Sequence, residues 1–134
     1  MLDREEERRE LLEKIEELIQ RKQYKELRAL LEGLSYGRPR AELCCDIAAR
    51  FYALQDYRQA IWWYERALDC PRPGETGGFV SPDCYGYLPC IQLCLCWYAL
   101  GEAARAAAYN ERAGEYKPED PAYLYNKTFF EARQ

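Results

Sequence analysis

The residues of this chain that could most readily bind a metal or undergo redox chemistry are its seven cysteines. Cys90, Cys94 and Cys96 lie close together in sequence, and Cys84 and Cys70 precede them. Four thiolates can hold a zinc ion, so the spacing raises the question of a metal site. However, there is no Cys-x-x-Cys pair, and a helix through the cluster turns Cys96 well away from Cys90 and Cys94. Buried packing of free thiols is therefore the favoured interpretation, with metal binding and redox sensing as the alternatives.

The other groups needed for catalysis are missing from the sequence. Histidine is absent, which removes the commonest general base and the commonest partner of a nucleophilic cysteine. No two aspartates have the Asp-x-Asp spacing that would hold a divalent cation against a diphosphate. The glycines of Gly74–Gly78 are not followed by the Lys-Ser/Thr of a phosphate-binding loop. We expect a non-enzymatic protein without cofactor or metal.

Length and charge narrow the possible partners. A chain of 134 residues can bury one compact core, and its formal charge of -4 disfavours nucleic acid or an anionic membrane as the main partner. The first residues are charged, and no segment is apolar for long enough to cross a bilayer. We therefore expect a cytoplasmic protein whose cysteines are reduced.

Apolar periodicity, caps and turn residues predict seven helices. Three prolines and three glycines between Cys70 and Cys84 exclude a regular helix there, and Asp120 with Pro121 marks the start of the last helix. The predicted helices cover about 5–21, 24–34, 40–54, a fourth that follows the turn at 55–56 and ends near 70, then 87–100, 102–116 and 121–131.

Two stretches of the chain share a pattern of small and large residues. Aligning Ala41–Leu68 with the region from Tyr87 onward pairs Ala48 with Cys94, Phe51 with Trp97, Ala60 with Ala106, and Ala67 with Ala113. This spacing resembles the tetratricopeptide repeat (TPR), a helix-turn-helix unit of about 34 residues whose helices touch at small residues. Further signature matches are Ile47, Tyr57, Tyr64, Leu93, Gly101 and Pro118, whereas Asn110 stands where an aromatic residue is usual.

The TPR resemblance implies an all-α fold in which antiparallel helical hairpins stack as a short solenoid of about seven helices. Residues 1–38 match the repeat only loosely and are interpreted as a charged helical hairpin, either a degenerate repeat or a cap. The two clear repeats are 39–70 and 87–118, separated by an inserted Pro/Gly loop at 71–86. Residues 119–134 would form a capping helix.

A narrower resemblance runs from about Ala60 to Phe130. It is carried by the run Gly78–Cys90, by Tyr109–Gly114, and by Lys117-Pro118 with Leu124–Lys127. These residues are similar to the C-terminal TPR region of bacterial family 2 glycosyltransferases, the group that includes peptide S-glycosyltransferases. In those enzymes a separate N-terminal domain performs the chemistry, and the repeat region is associated with dimerisation or acceptor binding. No counterpart of that catalytic domain occurs among these 134 residues.

In TPR stacks the first helix of each hairpin lines a concave groove, so the resemblance nominates the outward positions of these helices as a binding surface. The nominated residues are Glu42, Cys45, Asp46, Ala49, Tyr52, Leu88, Ile91, Gln92, Leu95, Tyr98, Tyr125 and Asn126. Because Cys45, Ala49 and Gln92 stand where some TPRs need cations or amides to grip a terminal carboxylate, a chaperone-tail receptor is disfavoured.

The function expected from the sequence is a module that binds a protein or peptide, with a bacterial glycosyltransferase or its acceptor as the candidate partner. Two alternatives stay open: a homodimerisation element with no separate ligand, and a fragment of a longer glycosyltransferase. Tyrosines at groove positions favour binding because they combine rigid contact area with a polar tip.

Overall fold

The computed structural model describes residues 4–32, 41–71 and 81–133, and its contacts divide the chain into two compact units, Met1–Pro39 and Arg40–Gln134. In the first unit, α1 (Arg4–Gln20) and α2 (Tyr24–Glu32) pack together across a short turn. Lys22 turns the chain with a positive φ of 56°. Among the described residues of this unit, the buried apolar side chains are Ile15, Leu18, Ile19 and Leu27.

The second unit begins with a hairpin of α3 (Ala41–Ala53) and α4 (Tyr57–Asp69). Gln55 has a positive φ of 61° in the tight turn, and the Asp56 carboxylate caps α4 by accepting the Gln59 N–H at 3.3 Å. The small and aromatic repeat residues of this hairpin are buried, namely Ala48, Phe51, Ala60, Tyr64 and Ala67.

The described end of the inserted segment contains a short 3-10 turn, Pro82–Tyr85. Proline suits the first position of such a turn because its missing N–H would have no partner there. The sequence analysis treated all of 71–86 as irregular loop, so this turn is a correction at the end of the segment. It packs against α3 and α4, and residues 72–80 lie outside the described residues.

The next hairpin consists of α5 (Tyr87–Ala99) and α6 (Ala103–Tyr116). Gly101, between them, has a φ of +81°, which a residue with a side chain would adopt only under strain. The helices bury the predicted small residues Cys94, Ala106 and Ala113, while α5 also packs against α4 and the 3-10 turn.

The last helix, α7 (Pro121–Glu131), packs on α6. Its Asp120 cap and Pro121 start agree with the sequence prediction, and the Asp120 carboxylate accepts the Ala122 N–H at 3.1 Å. Gly114 lets the two helices approach closely, because a Cβ there would overlap the ring of Tyr123. The described chain is therefore all-α, with seven α-helices within one or two residues of the predicted bounds where both ends are described.

Candidate functional site

The clustered cysteines of α5 are packing residues in this structure. Cys90, Cys94 and Cys96 are all buried. Burial raises the pKa of Cys94 to about 11 and that of Cys96, helped by the neighbouring Cys94, to about 12. These thiols are therefore protonated at neutral pH. Among the described residues, no group of three or more Cys, Asp or Glu side chains is placed to hold a metal ion.

Contacts with two charged side chains, Glu42 and Lys117, hold the 3-10 turn in place. The Glu42 carboxylate of α3 accepts the Tyr85 hydroxyl at 3.0 Å and the Ser81 N–H at 3.4 Å. On the other side, Asp83 pairs with Lys117 at 2.8 Å. Two charged contacts from different hairpins thus fix the end of the inserted segment.

The amino-terminal end of the predicted groove is consequently occupied by the chain itself. Glu42 binds the 3-10 turn, and the Cys45 thiol donates to the Cys84 carbonyl oxygen at 3.8 Å. Cys45 is only 4% exposed and Ile91 only 6%, so both offer almost no surface to a partner. This is a correction to the nominated set, because these two side chains face the packed interior and the described end of the inserted segment, residues 81–86, covers the start of α3. Leu88 is partly buried there as well.

The remaining nominated positions on α3 and α5 are more accessible. Asp46 and Ala49 are exposed, Tyr52 is half-buried, and Gln92 is partly buried. Tyr52 packs edge-on against Tyr57 of the same hairpin, with ring centroids 5.6 Å apart. Burial is also the main reason that the pKa of Tyr52 lies above its usual value. This tyrosine is thus engaged inside its own hairpin as well as facing outward.

Tyr98 lies at the centre of an aromatic cluster that joins α5 to α7. Its ring centroid is 5.3 Å from that of Phe129 and 6.0 Å from that of Phe130, both in edge-on geometry. Tyr98 nevertheless remains 46% exposed, and Leu95, one turn earlier on α5, is 37% exposed. Tyr125, one turn before Phe129 on α7, is 71% exposed.

We call these five side chains the aromatic surface: Leu95, Tyr98, Tyr125, Phe129 and Phe130. The sequence analysis nominated the first three and missed the phenylalanines. Their signal was available, because Phe129 follows Tyr125 by four residues and therefore lies on the same face of α7. Arg133 completes the edge of the cluster, with its guanidinium carbon 3.3 Å from the centroid of the Phe129 ring.

Asn126, the last nominated groove residue, is engaged within the protein. Its amide donates to the Asn110 side-chain oxygen at 3.2 Å, while the Asn110 amide donates to the Tyr123 carbonyl at 3.1 Å. Asn110 is fully buried, so this chain of hydrogen bonds joins α6 to α7 internally. Asn126 therefore helps to hold α7, which carries part of the aromatic surface, against α6.

The class of protein defined by this geometry is an all-α protein of consecutive packed helices with an exposed aromatic and aliphatic surface on α5 and α7. No protein-family model matches the sequence, and a search of curated proteins finds no similar sequence. Within the described parts of the chain, no helix has the length and apolar character to span a membrane.

Proposed function

We propose that this chain is a non-catalytic TPR-type module that binds an apolar or aromatic segment of another protein through the aromatic surface. The observation that carries the proposal is the position of Tyr98, which is 46% exposed while its edge is held by two phenylalanines. An aromatic ring that is already ordered loses little conformational entropy on binding. Tyrosine combines apolar ring faces with a polar hydroxyl, and both features recur at protein interfaces.

The location of this surface supports the same function. Leu95 and Tyr98 belong to the first helix of one hairpin, and Tyr125 and Phe129 belong to the helix that follows that hairpin. In a TPR arrangement, such helices line the concave face. Because the described end of the inserted segment contacts Glu42 and Cys45 at the other end of the nominated groove, we assign the partner to the aromatic surface.

The partner class suggested by the glycosyltransferase resemblance is a bacterial cytoplasmic glycosyltransferase domain or its peptide acceptor. This part of the proposal rests on the resemblance alone. The chemistry of the surface is more specific about the bound segment: apolar or aromatic side chains would fill the space beside Leu95 and Tyr98. No cofactor takes part in this mode of binding.

Selection from a displayed peptide library tests the proposal. Peptides selected on the wild-type protein are synthesised, and their dissociation constants are measured by fluorescence anisotropy for wild type and for a Leu95→Ala/Tyr98→Ala variant. We expect at least a tenfold weaker interaction with the variant, since truncating a central aromatic residue commonly costs about 2 kcal/mol or more.

Leu54→Ala is the matched control, because Leu54 is 63% exposed but lies in the turn after α3. Its dissociation constants should stay within about twofold of wild type, as expected for an exposed side chain outside the interface. Selected peptides that bind the Leu95/Tyr98 variant as tightly as wild type would place the binding site elsewhere and refute the proposed surface.

Self-assembly is a second candidate function, favoured by one observation. Leu124 is 45% exposed and Tyr125 is 71% exposed on the last helix, where a second copy could pack against α7. Light scattering coupled to size exclusion decides between the two functions. A stable dimer that Leu124→Glu/Tyr125→Glu converts to a monomer supports self-assembly, whereas a monomeric wild type supports the binding module.

A further inference from the structure

A positively charged side chain, Arg133, lies at the edge of the aromatic surface. Its guanidinium carbon is 3.3 Å from the centroid of the Phe129 ring, and its Nη1 donates to the Phe129 carbonyl at 3.0 Å. The stacking and the hydrogen bond together order the guanidinium, although the residue is exposed. Because Phe129 also contacts Tyr98, with ring centroids 5.3 Å apart, the charge belongs to the same surface as the exposed tyrosine.

The other charged side chains of α7 lie on a different face of the helix. Lys127 and Glu131 are each two positions from Phe129, a step that turns a side chain roughly 200° around the helix axis. The Lys127 ammonium lies over the buried Tyr123 ring, 5.9 Å from its centroid. The α5 sequence contains no charged residue. On these two helices, the charge of the aromatic surface is therefore set by Arg133.

The position of Arg133 favours an acidic partner over a basic one. A lysine or arginine of the partner would be attracted to the face of an aromatic ring, but Arg133 already occupies one face of Phe129 and would repel a second cation. A carboxylate would instead meet the guanidinium, which has more N–H donors than the one used by the Phe129 carbonyl. Arginine binds carboxylates through two parallel hydrogen bonds when its edge is accessible.

We propose that the segment bound by the aromatic surface carries an aspartate or glutamate close to the side chain that packs against Tyr98, and that Arg133 binds this carboxylate. The inference rests on the proposed function, because it concerns the partner of the same surface. It adds the charge of that partner and the place where the charge must lie.

The distances limit the spacing within the partner. The guanidinium carbon is 3.3 Å from the Phe129 centroid, which is 5.3 Å from the Tyr98 centroid, so the guanidinium lies at most about 9 Å from the Tyr98 ring. In an extended segment, the acidic residue should therefore stand about two positions from the anchoring residue, where side chains share one side of the chain. In a helical segment, the separation should be about three or four positions.

The probes for the test are peptides from a displayed library with a fixed central tryptophan and random flanking residues. The library is selected in parallel on the full wild-type chain and on Arg133→Gln. We expect Asp and Glu at two to four positions from the tryptophan to be enriched at least about twofold on wild type, and this enrichment to disappear on Arg133→Gln. Arg133 is exposed, so the substitution leaves the core intact, and circular dichroism checks this.

A double-mutant cycle then tests whether Arg133 and the acidic residue interact directly. The tightest peptide and its Asn or Gln counterpart are titrated by fluorescence anisotropy against wild type and Arg133→Gln. Each single change should weaken binding about threefold or more, and making both changes should cost no more than making one. High salt should reduce the difference, because the pair is partly exposed.

Lys127→Gln is the matched control, because it removes the same charge from another face of α7. Its dissociation constants for both peptides should equal those of wild type, and its selected peptides should keep the acidic residue. An equal loss of affinity in Lys127→Gln and Arg133→Gln would show that net charge, and not the position of Arg133, attracts the peptide.

The outcomes separate this inference from the proposed function. Peptides that need Leu95 and Tyr98 but show no acidic preference, or a basic one, refute the inference and leave the proposed function standing. Equal binding to wild type and Arg133→Gln has the same meaning. Peptides that bind independently of Leu95 and Tyr98 refute the proposed surface and the inference together.

Discussion

At the scale of single residues, Asn110 departs from the repeat pattern and connects two helices by hydrogen bonds. In the TPR arrangement proposed for this chain the position normally takes an aromatic residue, yet the fully buried Asn110 donates to the Tyr123 carbonyl and accepts from the Asn126 amide. A buried amide is tolerated only when its hydrogen bonds are made. Asn110 thereby fixes the last helix, which carries Tyr125, Phe129 and the rest of that face.

Asn110→Ala should destabilise the protein by about 1–3 kcal/mol, because it leaves a buried carbonyl and the Asn126 amide without their partner. The measurement is urea unfolding followed by circular dichroism. Asn126→Ala is the matched control: it removes only the outer hydrogen bond, and its side chain is only partly buried, so its cost should be smaller. An Asn110 variant as stable as wild type would show that the buried network contributes nothing.

The sequence predicted residue burial well and residue partnerships poorly. Small repeat residues such as Ala60 and Ala106 are buried as expected, since the repeat spacing itself encodes which side chains meet. Cys45 was nominated for the groove but is buried beneath Cys84, because its environment depends on a segment whose path is not encoded in the repeat. Phe129 escaped notice since its partner Tyr98 lies on another helix, 31 positions earlier in the chain.

At the scale of elements, the end of the inserted segment is held from both sides by polar contacts. Glu42 of α3 binds the 3-10 turn, and Lys117 after α6 pairs with Asp83 and lies 4.8 Å from the ring centroid of Tyr87. The Tyr87 hydroxyl in turn donates to Asp120 at the start of α7. The start of α5 is therefore joined to the cap of α7.

Glu42→Ala should loosen the 3-10 turn, because Tyr85 and the Ser81 N–H both lose their acceptor. We expect amide hydrogen exchange in residues 82–86 to accelerate roughly tenfold, which corresponds to about 1.4 kcal/mol of local stability. Asp46→Ala, one turn further along α3 and exposed, should leave this exchange unchanged. Equal acceleration in both variants would mean that Glu42 acts through general charge and not through its hydrogen bonds.

The hydrogen bond between Tyr87 and Asp120 should make stability depend on pH. The Tyr87 hydroxyl, with two backbone N–H groups of α7, holds the pKa of Asp120 below its ordinary value of about 3.9. A carboxyl whose pKa is lowered by folding stabilises the protein above that ordinary value, and the contribution disappears as the pH falls through the lowered value. Tyr87→Phe should therefore lower the urea midpoint at pH 7, and the deficit should shrink as the pH falls below the ordinary pKa of an aspartate and through the lowered pKa of Asp120.

Tyr125→Phe is the control for this pH series, because the Tyr125 side chain is 71% exposed. Its urea midpoint should follow that of wild type at every pH. A Tyr87→Phe deficit that persists unchanged to the lowest pH would assign the loss to packing of the ring edge and not to the bond with Asp120.

The helices themselves were the most predictable elements. Caps such as Asp56 and Asp120 and the turn at Gly101 are local signals, which explains the close agreement of helix bounds in the described chain. The 3-10 turn was not predicted, since a four-residue turn has no periodicity to detect and depends on contacts with Glu42 and Lys117.

At the scale of the whole molecule, the chain divides into the units Met1–Pro39 and Arg40–Gln134. The second unit contains the two helical hairpins α3–α4 and α5–α6 and the aromatic surface, while the described part of the first is one helical hairpin that buries Ile15, Leu18, Ile19 and Leu27. The sequence analysis had drawn its first boundary at residue 38, because residues 1–38 match the repeat pattern only loosely.

A fragment of residues 40–134 should fold by itself, whereas residues 1–39 should be largely unfolded in isolation. In a unit of ninety-five residues, the free energy gained by burying apolar surface can exceed the conformational entropy lost on folding. A hairpin of fewer than about 40 residues cannot bury enough apolar surface without further support. Circular dichroism during thermal unfolding measures both fragments. We expect a cooperative transition for 40–134 and a weak, gradual loss of helicity for 1–39. If 40–134 melted without cooperativity, the first hairpin would have to be regarded as an integral part of the fold, and the peptide-binding experiments would require the full chain.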